Sequence, residues 1–316
     1  MAISSASLAY RRSALMTATK VSTKPPSQEV IEARDNFHAF CKIMGKAPAK
    51  HMLEWHNELC TGEDSECLLG IGGPNTSILA PRGSAKSTVL GLFAAWMIGR
   101  HAAAKKMLRI LYIAYMVDIS RAKSATIKGI LSSAKYREVF PMVRLSKIKR
   151  SDEYWSIDYE FAGIDTAGEE AFTVACGGLK GAITSKRSQL VLIDDPIKSA
   201  ASINNPDIRR EMEATWSNVI APTMFQGARA ICLGTRFHFD DIHATLFVPK
   251  NNWKQIVQKA VLTDEEGRSR SYWPEFWSMK YLNERKSEDR VAFAYQYLNT
   301  AVQSSDVGIS PELLIK

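Results

Sequence analysis

The chain has 316 residues, 46% of them hydrophobic and 23% charged, with a formal net charge of +8; this suits one large soluble domain, or a domain with a small satellite, around a sizeable core. Its longest apolar stretches, such as Gly91 to Ile98, are too short to cross a bilayer, and its five cysteines, odd in number and without a CxxC pair, suggest neither a zinc ribbon nor a disulfide framework and fit a reducing compartment. The modest positive charge favours a polyanionic partner without deciding for one.

Residues 1–28 read as a basic, polar tail ending in Lys24-Pro25-Pro26-Ser27, without the apolar run of a secretory signal. A helical pattern follows through Val30, Ile31, Phe37, Phe40 and Ile43, and a second helix spans Lys50 to Cys60. After a loop at Gly70 to Pro74, the short apolar run Ser77 to Ala80 predicts a strand, and Val89 to Arg100 a buried helix. Strands are expected at Leu108 to Tyr115, Tyr154 to Phe161, Ala171 to Ala175, Gln189 to Ile193 and Ala230 to Leu233. Helices are expected at Ile119 to Ala134 and Asp207 to Val219. Strands alternating with helices predict an α/β fold, a mostly parallel central sheet flanked by helices. The division expected is a tail (1–28), a phosphate-loop ATPase domain (29–265) and a helical appendage or linker (266–316).

Between the first strand and its helix lies Pro81-Arg82-Gly83-Ser84-Ala85-Lys86-Ser87-Thr88. Phosphate binding needs backbone N–H groups converging at a helix N-terminus, a lysine for the β/γ oxygens and a hydroxyl for Mg²⁺. Lys86 and Ser87, with Thr88 beside them, stand where these are needed. Ala80 and Ala85 replace the two glycines of the strict G-x-x-x-x-G-K-[ST] pattern, so the loop must be one that tolerates alanine. A helix that merely begins Lys-Ser-Thr is the simpler reading, and the position after a buried strand weighs against it.

A buried strand ending in a carboxylate is the second requirement. Leu190-Val191-Leu192-Ile193-Asp194-Asp195-Pro196 supplies it, with Asp194 for the metal and Asp195 to polarise water as general base. An Asp-Pro turn explains Asp195-Pro196 but not two carboxylates after four aliphatics. A third strand end, Ile231-Cys232-Leu233-Gly234-Thr235-Arg236, offers a small polar residue to sense a γ-phosphate.

Together APRGSAKST, LVLIDDP and LGTRFHFDD resemble the large terminase subunit of tailed bacteriophages, whose loop is characteristically spelled A-P-R-G-x-[GA]-K-S-T. Lys180-Gly181 followed by Lys186-Arg187, and the segments Tyr272-Trp273-Pro274-Glu275-Phe276 and Phe293 to Leu298, extend the likeness over roughly residues 45–305. The resemblance implies an ASCE-type P-loop ATPase with ATP and Mg²⁺ as cofactors. It implies a motor that drives double-stranded DNA into a procapsid as a homo-oligomeric ring, usually of five subunits, on the portal protein. A terminase small subunit as partner and the host-cell cytoplasm as location follow from the same likeness. Mapped onto this chain, Pro81 to Thr88 hold the phosphates, Ser87 and Asp194 the metal, and Asp195 stands where relatives often have Glu. Gly234-Thr235 resembles the coupling motif. The segment His51 to Leu59, with Trp55, resembles the region that contacts adenine. Arg82 is the candidate transition-state arginine in cis and Arg187 in trans, with Arg209 and Arg210 as rivals.

The family's nuclease half is not matched, and Asp306 and Glu312 make no metal cluster by their spacing, so no nuclease activity is expected of this chain. His238-x-Asp240-Asp241-x-His243 has metal-ligand types, but a helix N-cap at Asp240 or Asp241 is the preferred reading. Arg121, Lys123 and Lys128, and the loop-like Lys147, Lys149 and Arg150, are candidates for tracking DNA phosphates or meeting a neighbouring subunit. Two other readings are a helicase-type motor, for which the chain lacks a second motor domain, and a non-catalytic DNA-binding scaffold with a degenerate loop.

Overall fold

Cap residues divide the N-terminal helices. Ser27 caps α1 (Gln28–Asp35), and Asn36 accepts from the Ala39 amide to open α2 (Phe37–Ile43), so the single helical pattern of the sequence is two helices. The computed structural model describes residues 25–60, 71–180 and 186–300; the first 24 residues of the expected tail, Gly181, Asp306 and Glu312 lie outside them. Helix α3 (Met52–Leu59) follows, then β1 (Asn75–Leu79) and α4 (Lys86–Ala103).

The remaining elements continue the alternation: β2 (Ile110–Ala114), α5 (Val117–Ser132), α6 (Ala134–Val139), β3 (Leu145–Arg150), β4 (Tyr154–Ile157), α7 (Tyr159–Ala162), β5 (Val174–Gly178), β6 (Ser188–Asp194), α8 (Pro206–Thr215), β7 (Met224–Gly234), α9 (Ile242–Thr245) and β8 (Trp253–Val257). A hairpin of β9 (Val261–Thr263) and β10 (Ser269–Ser271) leads to α10 (Met279–Glu288) and α11 (Arg290–Gln296). The hairpin spans position 265. No helix among the described residues is long and apolar enough to cross a membrane.

Eight strands form one sheet in the order β3-β4-β5-β2-β6-β7-β1-β8. The six from β5 to β8 are parallel, and β3 and β4 join antiparallel at one edge. The α/β, mostly parallel architecture expected from the sequence is the one observed. Strand β7 stands between β1 and β6, so the ends of the phosphate-loop strand and the acidic strand flank its own.

Period-2 side-chain alternation builds a core on each face of the sheet. Ile110 and Tyr112, Leu190 and Leu192, and Ile231 and Leu233 face α4, where Phe93 and Trp96 meet them in one cluster. Leu111 and Ile113, Val191 and Ile193, and Ala230 and Cys232 face the other way, toward Trp216, Phe247 and Trp253. Burial on both faces is why these strands read as continuous apolar runs. A third cluster gathers Ala260, Tyr272, Trp277, Leu282 and Phe293 around the C-terminal helices.

Three expectations need correction. The strand read at Tyr154 to Phe161 stops at Ile157, because the Asp158 side chain accepts from the Phe161 amide and caps α7. The helix read to Val219 ends at Thr215 and widens into a π turn, Trp216–Ile220. Lys147, Lys149 and Arg150 belong to an edge strand, not a loop. Pairing with β4 makes β3 a strand, while its own exposed alternation, with Ile148 92% exposed, carries no core signal.

Two features set predictions of stability. Gly99 of α4 lies against the Phe140 ring, leaving no room for a Cβ. Gly99→Ala is expected to cost roughly 1–3 kcal/mol through overpacking, read as a lowered urea midpoint at unchanged slope. Burial also holds His51, His56, His101 and His243 neutral, each lowered to about 4. Unfolding frees these rings to bind protons near their ordinary 6.5, so their contribution is complete above pH 6.5 and is lost as pH falls toward 4. Urea unfolding at pH 5 should show a loss, relative to pH 7, on the order of 1–2 kcal/mol for each fully buried ring.

Candidate active site

Parallel alignment brings the C-terminal ends of β1, β6 and β7 to one edge: Leu79 pairs with Gly234, and Asp194 with Leu233. Ligand sites of open parallel sheets form at this edge. Beyond β1 the chain turns through Pro81 to Ala85 and enters α4 at Lys86. The turn is tied internally, since the Ser84 hydroxyl donates to the Pro81 carbonyl at 2.6 Å.

Ala85 adopts φ +63° as the N-cap of α4, and Gly83 φ +85°. Glycine at position 83 also admits the Trp277 ring, whose Cζ2 lies 3.1 Å from where a Cβ would be. The alanine at 85 accepts the left-handed conformation instead of avoiding it, and α4 still begins on time.

Lys86 is 4% exposed. Its ammonium donates to the Ala80 and Pro81 carbonyls at 3.1 Å each and to Thr235 Oγ1 at 2.9 Å, with Asp195 Oδ1 at 3.7 Å. Burial lowers its pKa, while Asp195 and Asp194 oppose that. Thr235 donates its own proton to the Ala80 carbonyl at 3.2 Å. The lysine, the third strand end and the loop therefore form one hydrogen-bonded unit.

Ser87 Oγ donates to Asp194 Oδ1 at 2.9 Å, and Tyr112 OH donates to Oδ2 at 2.9 Å. Asp194 is 1% exposed, and burial pushes its carboxyl pKa up, reinforced by Asp195 and opposed by the two hydroxyl donors. A serine hydroxyl beside a buried carboxylate is an oxygen donor set suited to a hard divalent cation, and such a cation would offset the cost of burying that charge. The residues present thus fit Mg²⁺. Asp195 behaves differently: its side chain is 46% exposed, its backbone sits at φ +43°, and its amide bonds the Leu233 carbonyl at 2.9 Å. The left-handed turn aims one carboxylate inward and the next toward solvent.

A cleft of about 180 Å³ opens over this edge, lined among others by Arg82, Ser87, Lys123, Asp194, Asp195 and Thr235. Thr88, in the first turn of α4, is exposed. The C-terminal segment closes the back of the site: the Arg82 amide donates to the Gln296 carbonyl at 2.8 Å, and the Arg236 amide to Asn299 Oδ1 at 3.1 Å.

Other predicted residues lie elsewhere. Trp55 is 0% exposed within the main core and has no surface to offer an adenine; helical spacing put its indole inward. Arg187 precedes β6, at the opposite end of that strand from Asp194, roughly 20 Å away at about 3.3 Å per residue, and its guanidinium lies over the Phe225 ring. Arg209 donates to the Ile203 and Asn204 carbonyls and pairs with Asp240, while Arg210 pairs with Asp207. Asp241 caps α9, accepting from the His243 amide at 3.1 Å, and also binds Arg236 and the amides of Phe237 and His238. Among the described residues no group of three His, Cys, Asp or Glu side chains converges as a metal site.

Tyr112 and Lys123 join the site without having been legible as part of it. A tyrosine inside an aliphatic strand is the available signal for Tyr112, since a buried phenol needs a partner. Its neighbour in the sheet, known only from the topology, supplies one.

No family model matches the sequence, and no curated protein matches it. Among solved structures, an ATPase-domain variant of the large terminase of Thermus phage P74-26 matches with a TM-score of 0.51 at 15% identity, over 83% of this chain and 98% of that one. The large terminase of a thermophilic bacteriophage, in complex with ATP-γ-S, matches with a TM-score of 0.42 at 10% identity, over 88% of this chain and 53% of that one. The HK97 bacteriophage large terminase gives 0.42 at 12%, over 76% and 51%. The chain spans about half the length of these last two.

The left-handed alanine yields a test. Left-handed φ at a non-glycine residue costs on the order of 1 kcal/mol or more, and glycine returns part of this as unfolded-state entropy. Ala85→Gly is expected to stabilise the fold by roughly 0.5–1 kcal/mol, seen as a raised thermal midpoint; an unchanged or lowered midpoint would show that the loop is relaxed as it stands. In its large, mostly parallel sheet flanked by helices, the chain has the fold of a phage large-terminase ATPase domain.

Proposed function

We propose that this chain is the ATPase motor domain of a viral large terminase, hydrolysing ATP to move double-stranded DNA into a procapsid. The observation that carries the reading is the convergence of Lys86, Ser87, Asp194, Asp195 and Thr235 at three adjacent strand ends. The terminase-type fold supports it.

In this reading the loop amides and Lys86 bind the β/γ-phosphates, exchanging the Ala80 and Pro81 carbonyls for phosphate oxygens. Ser87 and Asp194 hold Mg²⁺, which when bound neutralises phosphate charge. Asp195, solvent-accessible and adjacent, takes the proton from a water as its oxygen bonds the γ-phosphorus. The bond to the β–γ bridging oxygen breaks and ADP leaves. Asp reaches one methylene less far than the Glu that relatives often carry at this position. Thr235, bonded to both Lys86 and the loop, registers the γ-phosphate from the third strand. Arg82, exposed on the loop, is the arginine in cis. Arg187, remote from this cleft, is the candidate in trans. The ring of subunits, the portal, the small subunit and the host-cell cytoplasm belong to this proposal.

Steady-state hydrolysis of Mg²⁺-ATP, with and without double-stranded DNA, tests it. Lys86→Ala should abolish turnover, and Asp195→Asn should lower kcat by about 10²- to 10⁴-fold with binding retained. Wild-type protein that neither binds nor turns over Mg²⁺-ATP would overturn the proposal in favour of a non-catalytic scaffold.

A further inference from the structure

The basic residues of α5 fall into two environments. Arg121 pairs with Asp118 and Glu153, and Lys128 with Asp152 at 3.3 Å. The turn between β3 and β4 thus neutralises the outward side of the helix. Lys123 points elsewhere. It stands one turn after Ile119, and both line the cleft that holds Ser87, Asp194 and Asp195. Among the described residues it has no hydrogen-bond or ion-pair partner.

The cleft therefore has two cationic walls, the loop with Arg82 and α5 with Lys123, and Lys86 is buried behind the loop. Lys86 is already committed to Asp195 and Thr235. A triphosphate brings more negative charge than one such lysine balances, and a second ammonium with three free donors suits the extra phosphate oxygens. Lys198 also lines the cleft but is exposed, just after Pro196. Lys123 lines the cleft together with Asp195 and Thr235, the two residues that in the reading above meet the terminal phosphate rather than the base or ribose.

We propose that Lys123 is a catalytic residue that contacts the terminal phosphate of the bound nucleotide from the α5 wall, in cis, and so distinguishes triphosphate from diphosphate. The proposal rests on the nucleotide reading above. It gives α5 a ligand contact that exists only before hydrolysis, so loss of the terminal phosphate uncouples this helix from the loop.

Lys123→Met, which keeps the aliphatic stem, and Lys123→Arg, which keeps the charge, test it beside Lys86→Ala. Binding of ATP-γ-S and of ADP is measured by calorimetry with Mg²⁺, and folding by thermal melting. Lys123→Met should weaken ATP-γ-S binding roughly tenfold to a hundredfold, the effect of losing a charged hydrogen bond, with ADP affinity changed less than about twofold and the melting curve unmoved. Lys123→Arg should restore most of the discrimination. Equal effects of Lys123→Met on both nucleotides, or none on either, would overturn the assignment while leaving the nucleotide site intact, provided Lys86→Ala loses ATP-γ-S. Wild-type protein that binds neither nucleotide would defeat both readings together.

Discussion

A lysine ammonium buried to 4% exposure is the constraint around which this site is organised. Removing such a charge from water costs several kcal/mol unless hydrogen bonds and counter-charge replace the lost hydration. Lys86 obtains these from the loop carbonyls of Ala80 and Pro81, from Thr235 after β7 and from Asp195 after β6. None of these partners is local except the loop. The ammonium is satisfied only if β1, β7 and β6 lie side by side, parallel, with their ends level. The register delivers this, with Leu79 opposite Gly234 and Leu233 opposite Asp194. Burying the charge and aligning the chemistry are the same structural event.

The C-terminal segment then closes the back of the same unit. Gln296 accepts the Arg82 amide, Asn299 accepts the Arg236 amide and donates to the Gln258 carbonyl at 2.8 Å, and Trp277 fills the space over Gly83. Two of the strand-end loops are therefore fastened to one aromatic cluster, Tyr272, Trp277 and Phe293. These are one backbone hydrogen bond, two bonds of the Asn299 side-chain amide and a ring contact, all of which a shift of the loop would disturb at once. The far end of the sheet is held differently. Buried Arg229 donates to the carbonyls of Pro74, Leu59 and Glu58 and so fastens α3 to the start of β1. One end of the sheet is locked by a structural cation, and the other carries a cation whose partners are exchangeable for phosphate.

Charge counted along the sequence and charge available in space are different quantities. Arg121, Lys123 and Lys128 form one cluster by position, yet two of the three are spent on Asp118, Glu153 and Asp152. Lys149 is similarly engaged, donating to the Ala171 carbonyl at 2.7 Å, and Arg150 donates to the Ser146 carbonyl at 2.5 Å. Lys149 and Arg150 are thus turned back onto the backbone, and Lys147 is left as an exposed cation of that edge strand, so it offers a polyanion less than its spelling suggests.

The sequence by itself determined the central strands and the chemistry at their ends. Strands β2 and β6 are legible because burial on both faces demands unbroken aliphatic runs, and β1 in part from the short apolar run Ser77 to Ala80; Lys86-Ser87 and Asp194-Asp195 are legible because few other needs place those residues after such strands. Local sequence also narrowed the cap of α9 to Asp240 or Asp241, and the structure gives it to Asp241. Tertiary structure decided the rest. The position of β7 between β1 and β6 is a matter of pairing partners, and β3 is a strand only because β4 accepts it. Trp55 faces the core because orientation depends on what packs alongside. Tyr112 joins Asp194 from 82 residues away, across the β2–β6 pairing. Periodicity and composition record how a segment meets water, whereas a site is built from distances between segments, and those exist only once the sheet has closed.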